Sequence, residues 1–94
     1  MDVYAVSGLY YYCENFFELD TIETKVFKNV DEANKYAGYE FKSIAGEWYI
    51  DYLKGTASDT DYNERYDENG CMSLEIYNTD NGERIFVNVI KQSI

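Results

Sequence analysis

The chain has 94 residues, with 18 acidic against 8 basic side chains and a formal net charge of −10. That length is one domain with a thin core, and 46% hydrophobic residues are too many for a disordered acidic tail. Such a charge repels nucleic acid and anionic membranes and favours a basic partner or cations. The lack of any histidine removes the usual general base near neutral pH, and with it His-based nucleophilic pairs and His-ligated zinc.

In chain order, residues 2–13 read as a strand. Val3, Ala5, Leu9 and Tyr11 fall on one face, and Tyr4, Val6, Tyr10 and Tyr12 on the other. Both faces are apolar or aromatic, as in a central strand. Residues 14–20 carry three acids and read as a connection. Residues 21–28 alternate again, with Ile22, Thr24 and Val26 against Glu23 and Lys25, so the two strands predict a hairpin.

Asp31 is suited to cap a helix, with Glu32 at the positive end of the helix dipole. From there the apolar residues Ala33, Ala37, Phe41, Ile44, Trp48 and Tyr52 recur at helical spacing. Lys54 and Gly55 supply a stop. The pattern favours one helix over residues 31–54, kinked if anywhere at a glycine. A rival reading breaks it near Gly46 and makes residues 47–53 a strand.

Residues 56–70 show no apolar periodicity and read as a loop, with five acids and one base between Asp59 and Glu68. Met72, Leu74 and Ile76 then alternate with Ser73, Glu75 and Tyr77. After an Asn81–Gly82 turn, Ile85, Val87 and Val89 alternate with Phe86 and Ile90. This is a β-hairpin. The expected fold is α+β, in the order β-β-α-β-β. It comprises a four-stranded antiparallel sheet with one long helix packed across one face. The other face is partly open or covered by a partner.

Three constellations bear on function. Asp59, Asp61 and Asn63 copy the opening of a calcium-binding EF-hand loop, but Glu64 stands where glycine is required and Gly70 where a bidentate glutamate is required. A solvated loop is the better reading, and no cofactor or metal is expected. Next, Asp59, Asp61, Glu64, Asp67, Glu68, Glu75, Asp80 and Glu83 lie in one stretch whose single base is Arg65. If the loop and the hairpin turn meet, these carboxylates make one negative surface, spaced like nucleic-acid phosphates. Tyr62 and Tyr66 would stack there on arginines. The plainer alternative is a solubilising surface with no partner. The third is Tyr10–Tyr11–Tyr12, in which strand packing competes with an aromatic patch.

No phosphate loop, nucleophile motif or singled-out carboxylate pair points to an enzyme. The basic residues form no run, so direct nucleic-acid binding is not expected. Cys13 and Cys71 are too few for a disulfide framework and are expected as buried thiols. The opening Met-Asp-Val-Tyr lacks the basic region of a signal peptide and no apolar run reaches membrane-spanning length. An intracellular protein off the membrane is expected.

The opening MDVYAVSGLYYY, the segment VFKNVDEANKYAGYEF and the acidic DTDYNERYDENG before a terminal hairpin give the chain a further likeness. It resembles the small, acidic, tyrosine-rich proteins of bacteriophages and mobile elements, among them anti-CRISPR and other anti-defence inhibitors. That resemblance implies a stoichiometric inhibitor in the host bacterial cytoplasm, seated on a basic nucleic-acid-binding cleft of a nuclease component, as a DNA mimic. It assigns no role to any single residue. The alternatives are an immunity or antitoxin-like protein that neutralises a basic toxin, and a small cation-binding or housekeeping module.

Overall fold

The structure is a computed structural model that describes residues 1–12, the backbone of 15–18, residue 22 and residues 24–94. Its elements are β1 (Asp2–Tyr12), β2 (Asn15–Glu18), β3 (Lys25–Phe27), α1 (Val30–Lys54), β4 (Thr60–Tyr66), β5 (Met72–Asn78) and β6 (Arg84–Ser93). They form one antiparallel sheet with α1 packed against one face.

The sheet is five positions wide, one more than expected, in the order β2-β1-β6-β5-β4, with β3 also on β1. The extra width is β4, which lies inside the stretch read as a loop and pairs residue for residue with β5 from Thr60↔Asn78 to Tyr66↔Met72. The connection expected over residues 14–20 also contains a strand, β2, paired with β1 through Leu9↔Glu18 to Tyr12↔Asn15. Both segments are edge strands. A neighbour's backbone is enough to hold such a strand, so neither shows a strong apolar alternation.

The central position of β1 is as the two apolar faces imply. It pairs with β6 from Asp2↔Ser93 to Tyr11↔Arg84 on one side and with β2 and β3 on the other. The first hairpin is shorter than read, because β3 spans only Lys25–Phe27, against Val6, Ala5 and Tyr4. Val26 faces away from the helix and is 59% exposed, whereas Ile22 is buried in the core. Cys13, Glu14, Leu19, Asp20, Thr21 and Glu23, on which parts of that reading rest, lie outside the described residues.

The expected β5–β6 hairpin is present, from Ser73↔Asn88 to Tyr77↔Arg84. Its inward set is the one given by alternation. Leu74, Ile76, Ile85, Val87 and Val89 join Val6 beneath the helix residues Ala33, Ala37, Phe41 and Ala45.

The helix starts at Val30, one residue earlier than expected, and its cap lies two residues earlier. Asn29, not Asp31, is the cap, and its side-chain oxygen accepts from Asp31 N (2.8 Å) and Glu32 N (3.2 Å). Asp31 and Glu32 fill the first turn, where the dipole favours carboxylates. Gly55 closes the helix in the left-handed conformation, φ 75°. Residues 47–54 are helical, so the rival strand does not form, yet Gly46 interrupts the helix at φ 52°, ψ −125°. No helix among the described residues is long and apolar enough to cross a membrane.

Candidate functional site

The acidic stretch is built on β4, a strand paired along its length with β5 and not a loop. Two contacts from α1 fix it. Trp48 donates its indole N–H to the Thr60 hydroxyl at 3.0 Å. Tyr62 turns under the helix, its ring centroid 5.7 Å from Phe41, 5.2 Å from Tyr49 and 5.8 Å from Tyr52. Burial, with a smaller contribution from the Glu64 carboxylate, raises the Tyr62 phenol well above its ordinary pKa, so it remains a neutral hydrogen-bonding group.

Each end of β4 is tied down by polar side chains. At the first end, the Asp59 carbonyl accepts from the Thr79 backbone N–H (2.6 Å) and hydroxyl (3.2 Å), with Asp59 at φ 53°. Aspartate is among the few side chains that tolerate this left-handed backbone. The adjoining β5–β6 turn is held by Asn78, whose Oδ1 accepts from Asp80 N (2.9 Å) and Asn81 N (3.0 Å), with Gly82 at φ 79°. At the other end, Asp67 Oδ1 accepts from Asn69 N (2.8 Å) and Cys71 N (3.0 Å).

That second turn is clamped to the helix by Asn34, which donates to Gly70 O at 2.7 Å and accepts from Met72 N at 3.0 Å. Replacing Asn34 with leucine leaves two part-buried backbone groups without partners. The expected cost is about 2 kcal/mol, measurable by urea denaturation, and Asn34→Gln is not expected to restore the clamp because its longer chain misplaces both atoms. A loss below about 0.5 kcal/mol would show that water replaces both bonds.

The expected carboxylates therefore fall into distinct places. Asp59, Asp61, Asp80 and Glu83 gather toward one end of the β4–β5 pair, Glu64 sits along the edge, and Asp67 and Glu68 occupy the far turn, roughly 20 Å away at the usual strand rise. Tyr66 is exposed on the same edge. Two of the expected residues point elsewhere. Tyr62 is packed beneath α1, and Glu75 lies on the helix-free face, where it pairs with Arg84 at 3.3 Å. Residues 55–83 hold eight carboxylates against one arginine, a formal −7 of the chain's −10. The negative charge is thus polarised to one side of the sheet.

The EF-hand likeness does not survive folding. Asp61 and Asn63 lie two apart on an extended strand, facing Tyr77 and Glu75 of β5, and Tyr77 donates its hydroxyl to Asp61 at 3.3 Å. Among the described residues, no group of three or more Cys, Asp or Glu side chains is placed to hold a metal ion.

A second surface was only partly legible. On the face away from α1, clefts of about 250, 200 and 210 Å³ adjoin one another around Phe86. Leu9 and Tyr11 of β1, with Arg84 and Glu75, line the first; Asn63 and Arg65 line the second. Arg84 also stacks over Tyr77, 5.5 Å from its ring centroid. Alternation grouped Leu9 with Tyr11 and set Phe86 opposite Ile85 and Val87, but which face of β1 lies away from the helix, and the strand order that makes these residues neighbours, depend on the long-range β1–β6 pairing.

Comparison with known proteins supplies no relative. No family model matches the chain, and neither curated proteins nor solved structures give a match. The site is accordingly read from its own chemistry. Of the cysteines, Cys71 is a buried free thiol whose pKa is raised by burial and by the Asp67 carboxylate, an environment that disfavours a nucleophilic thiolate.

Proposed function

We propose that this is an acidic binding protein that occupies a basic, nucleic-acid-binding site on another protein and so inhibits it, the partner being a nuclease component of a bacterial defence system. The observation that carries this reading is the concentration of eight carboxylates in residues 55–83, seven of them on β4 and the tied-down turns beside its two ends and the eighth, Glu75, on β5. A solubilising charge needs no such framework. Fixed carboxylates lose less freedom on binding than carboxylates on a mobile loop, and they steer a basic partner over long range.

The test uses amides in place of acids. Asp59→Asn, Asp61→Asn, Glu64→Gln and Glu68→Gln together remove four charges while keeping an acceptor at each position. Asp67 is left alone because its carboxylate holds the turn. The wild-type protein is expected to capture a basic nuclease component from bacterial lysate at low salt and release it at high salt. The quadruple variant is expected to capture less by more than about tenfold, with no loss of melting temperature. Undiminished capture by the folded variant would rule out this rim. Recovery of a toxin in place of a nuclease would assign the same surface to an immunity function.

A further inference from the structure

The backbone of β4 makes a more specific statement about how a partner binds. Thr79 N–H donates to the Asp59 carbonyl, and Asp67 N–H donates to the Cys71 carbonyl at 3.0 Å. Both pairs continue the β4–β5 register. In an antiparallel ladder, hydrogen-bonded pairs recur at every second residue, so the odd-numbered residues of β4 bond to β5. Thr60, Tyr62, Glu64 and Tyr66 therefore direct their N–H and C=O groups away from the sheet. β4 ends the strand order, and no strand among the described residues lies beyond it.

Edge strands are ordinarily blunted by proline, by a bulge or by brevity. β4 has seven residues, and its register with β5 runs one-to-one without a bulge. The chain contains no proline at all. What guards this edge is charge, predominantly negative: Asp59, Asp61, Glu64, Asp67 and Glu68 against Arg65. A second copy paired antiparallel about Asn63 would set Asp61 against Arg65 twice, but it would also set Asp59 against Asp67 twice, inside two regions each carrying −7. The edge is thus biased against itself and toward a cationic strand.

We propose that β4 binds its partner by strand addition: an extended, lysine- or arginine-rich segment pairs with Thr60, Tyr62, Glu64 and Tyr66 and becomes the next strand of the sheet. Main-chain hydrogen bonds supply the register, and Asp59, Asp61, Glu64, Asp67 and Glu68 supply the selection for basic side chains. This rests on the acidic-rim reading above and specifies its mode of contact.

The probe is the peptide acetyl-(Lys-Thr)4-amide, compared with the same peptide N-methylated at every residue, which keeps the charges and cannot form a ladder. The unmethylated peptide is expected to bind at least about tenfold more tightly. It should also slow hydrogen exchange at the amides of Thr60, Tyr62, Glu64 and Tyr66, and not at Asp61, Asn63 and Arg65, which are already paired.

A protein variant gives an independent readout. Glu64→Pro removes one outward N–H without touching the β5 ladder, a placement that edge strands tolerate. It should weaken peptide binding by about tenfold relative to Glu64→Gln, which loses the same charge. If Glu64→Pro does not fold, the two peptides decide the matter. Equal affinity for them would overturn strand addition and leave charge-driven binding intact. No binding of either at low salt would overturn both readings. Concentration-dependent protection of the four amides without peptide would mean that a second copy holds the edge, which also overturns the proposal.

Discussion

Phe41→Ala is expected to remove most of the stability of this protein. Phe41 is fully buried at the centre of the helix stripe, and among the described residues it is the one phenylalanine in the set of largest fully buried side chains. Its ring meets Tyr49 edge-on at 5.8 Å and Tyr62 of β4 at 5.7 Å. Truncating a buried phenylalanine costs about 3–5 kcal/mol, the lost transfer energy plus the cavity left behind. Total stabilities of small domains are about 5–15 kcal/mol, and a chain of this charge and length belongs at the lower end.

Urea denaturation followed by circular dichroism measures the loss directly. Phe41→Leu, which keeps most of the volume, should cost only about 1–1.5 kcal/mol and remains measurable if the alanine variant does not fold. A loss under about 1.5 kcal/mol for Phe41→Ala would mean that the surrounding rings collapse into the space. The effect reaches the acidic rim as well, because Tyr62, with Thr60, is one of the two side chains that anchor β4 to the helix. With the Phe41 contact of Tyr62 gone, hydrogen-exchange protection at the paired amides of Asp61, Asn63 and Arg65 should fall more than along β6.

The parts of the fold that were legible in the sequence are those that bury a continuous apolar face. Ala33, Ala37 and Phe41 announce α1 by spacing, and Leu74, Ile76, Ile85 and Val87 announce the terminal hairpin by alternation. β4 did not announce itself because it buries a single large ring, Tyr62, between positions occupied by Thr60 and Glu64. Its existence depends on pairing with β5, a term that no local window contains. The helix cap was displaced by two residues because Asn29, Asp31 and Glu32 are all acceptable near a helix start, and only the backbone at Asn29 decides among them.

The candidate site divides along the same line. The concentration of carboxylates in residues 59–83 is a property of composition and was fully visible. Their separation into edge, turns and face was not. Glu75 belongs with Arg84 and the Phe86 clefts because strand parity places it beside Asn63, on the other face of the sheet from Glu64, and the salt bridge to Arg84 requires the β5–β6 register. Tyr62 and Tyr66 look equivalent in sequence. One packs against Phe41, Tyr49 and Tyr52 and the other is 55% exposed, a difference set by contacts with α1 that no local window contains.

The same dependence on context sets the sign of the last prediction. Gly38 and Gly46 both lie within α1, and helix propensity alone says that alanine at either should stabilise by about 0.5–1 kcal/mol. For Gly38 that expectation holds, since a Cβ there meets nothing within 4 Å and the backbone is helical. Gly46 also has open space around it, but it sits at φ 52°, ψ −125°, a conformation that costs an L side chain about 1–3 kcal/mol. Gly46→Ala must either bear that strain or straighten the helix, and straightening would swing Trp48, Tyr49 and Tyr52 away from Thr60 and Tyr62. Denaturation midpoints for the two variants should therefore move in opposite directions, up for Gly38→Ala and down for Gly46→Ala. Stabilisation by both would show that α1 runs straight through Gly46. A lower midpoint confined to Gly46→Ala, with exchange protection lost first at the β5-paired amides of Asp61 and Asn63, would show that the kink is what aims the aromatic end of the helix at the acidic edge strand.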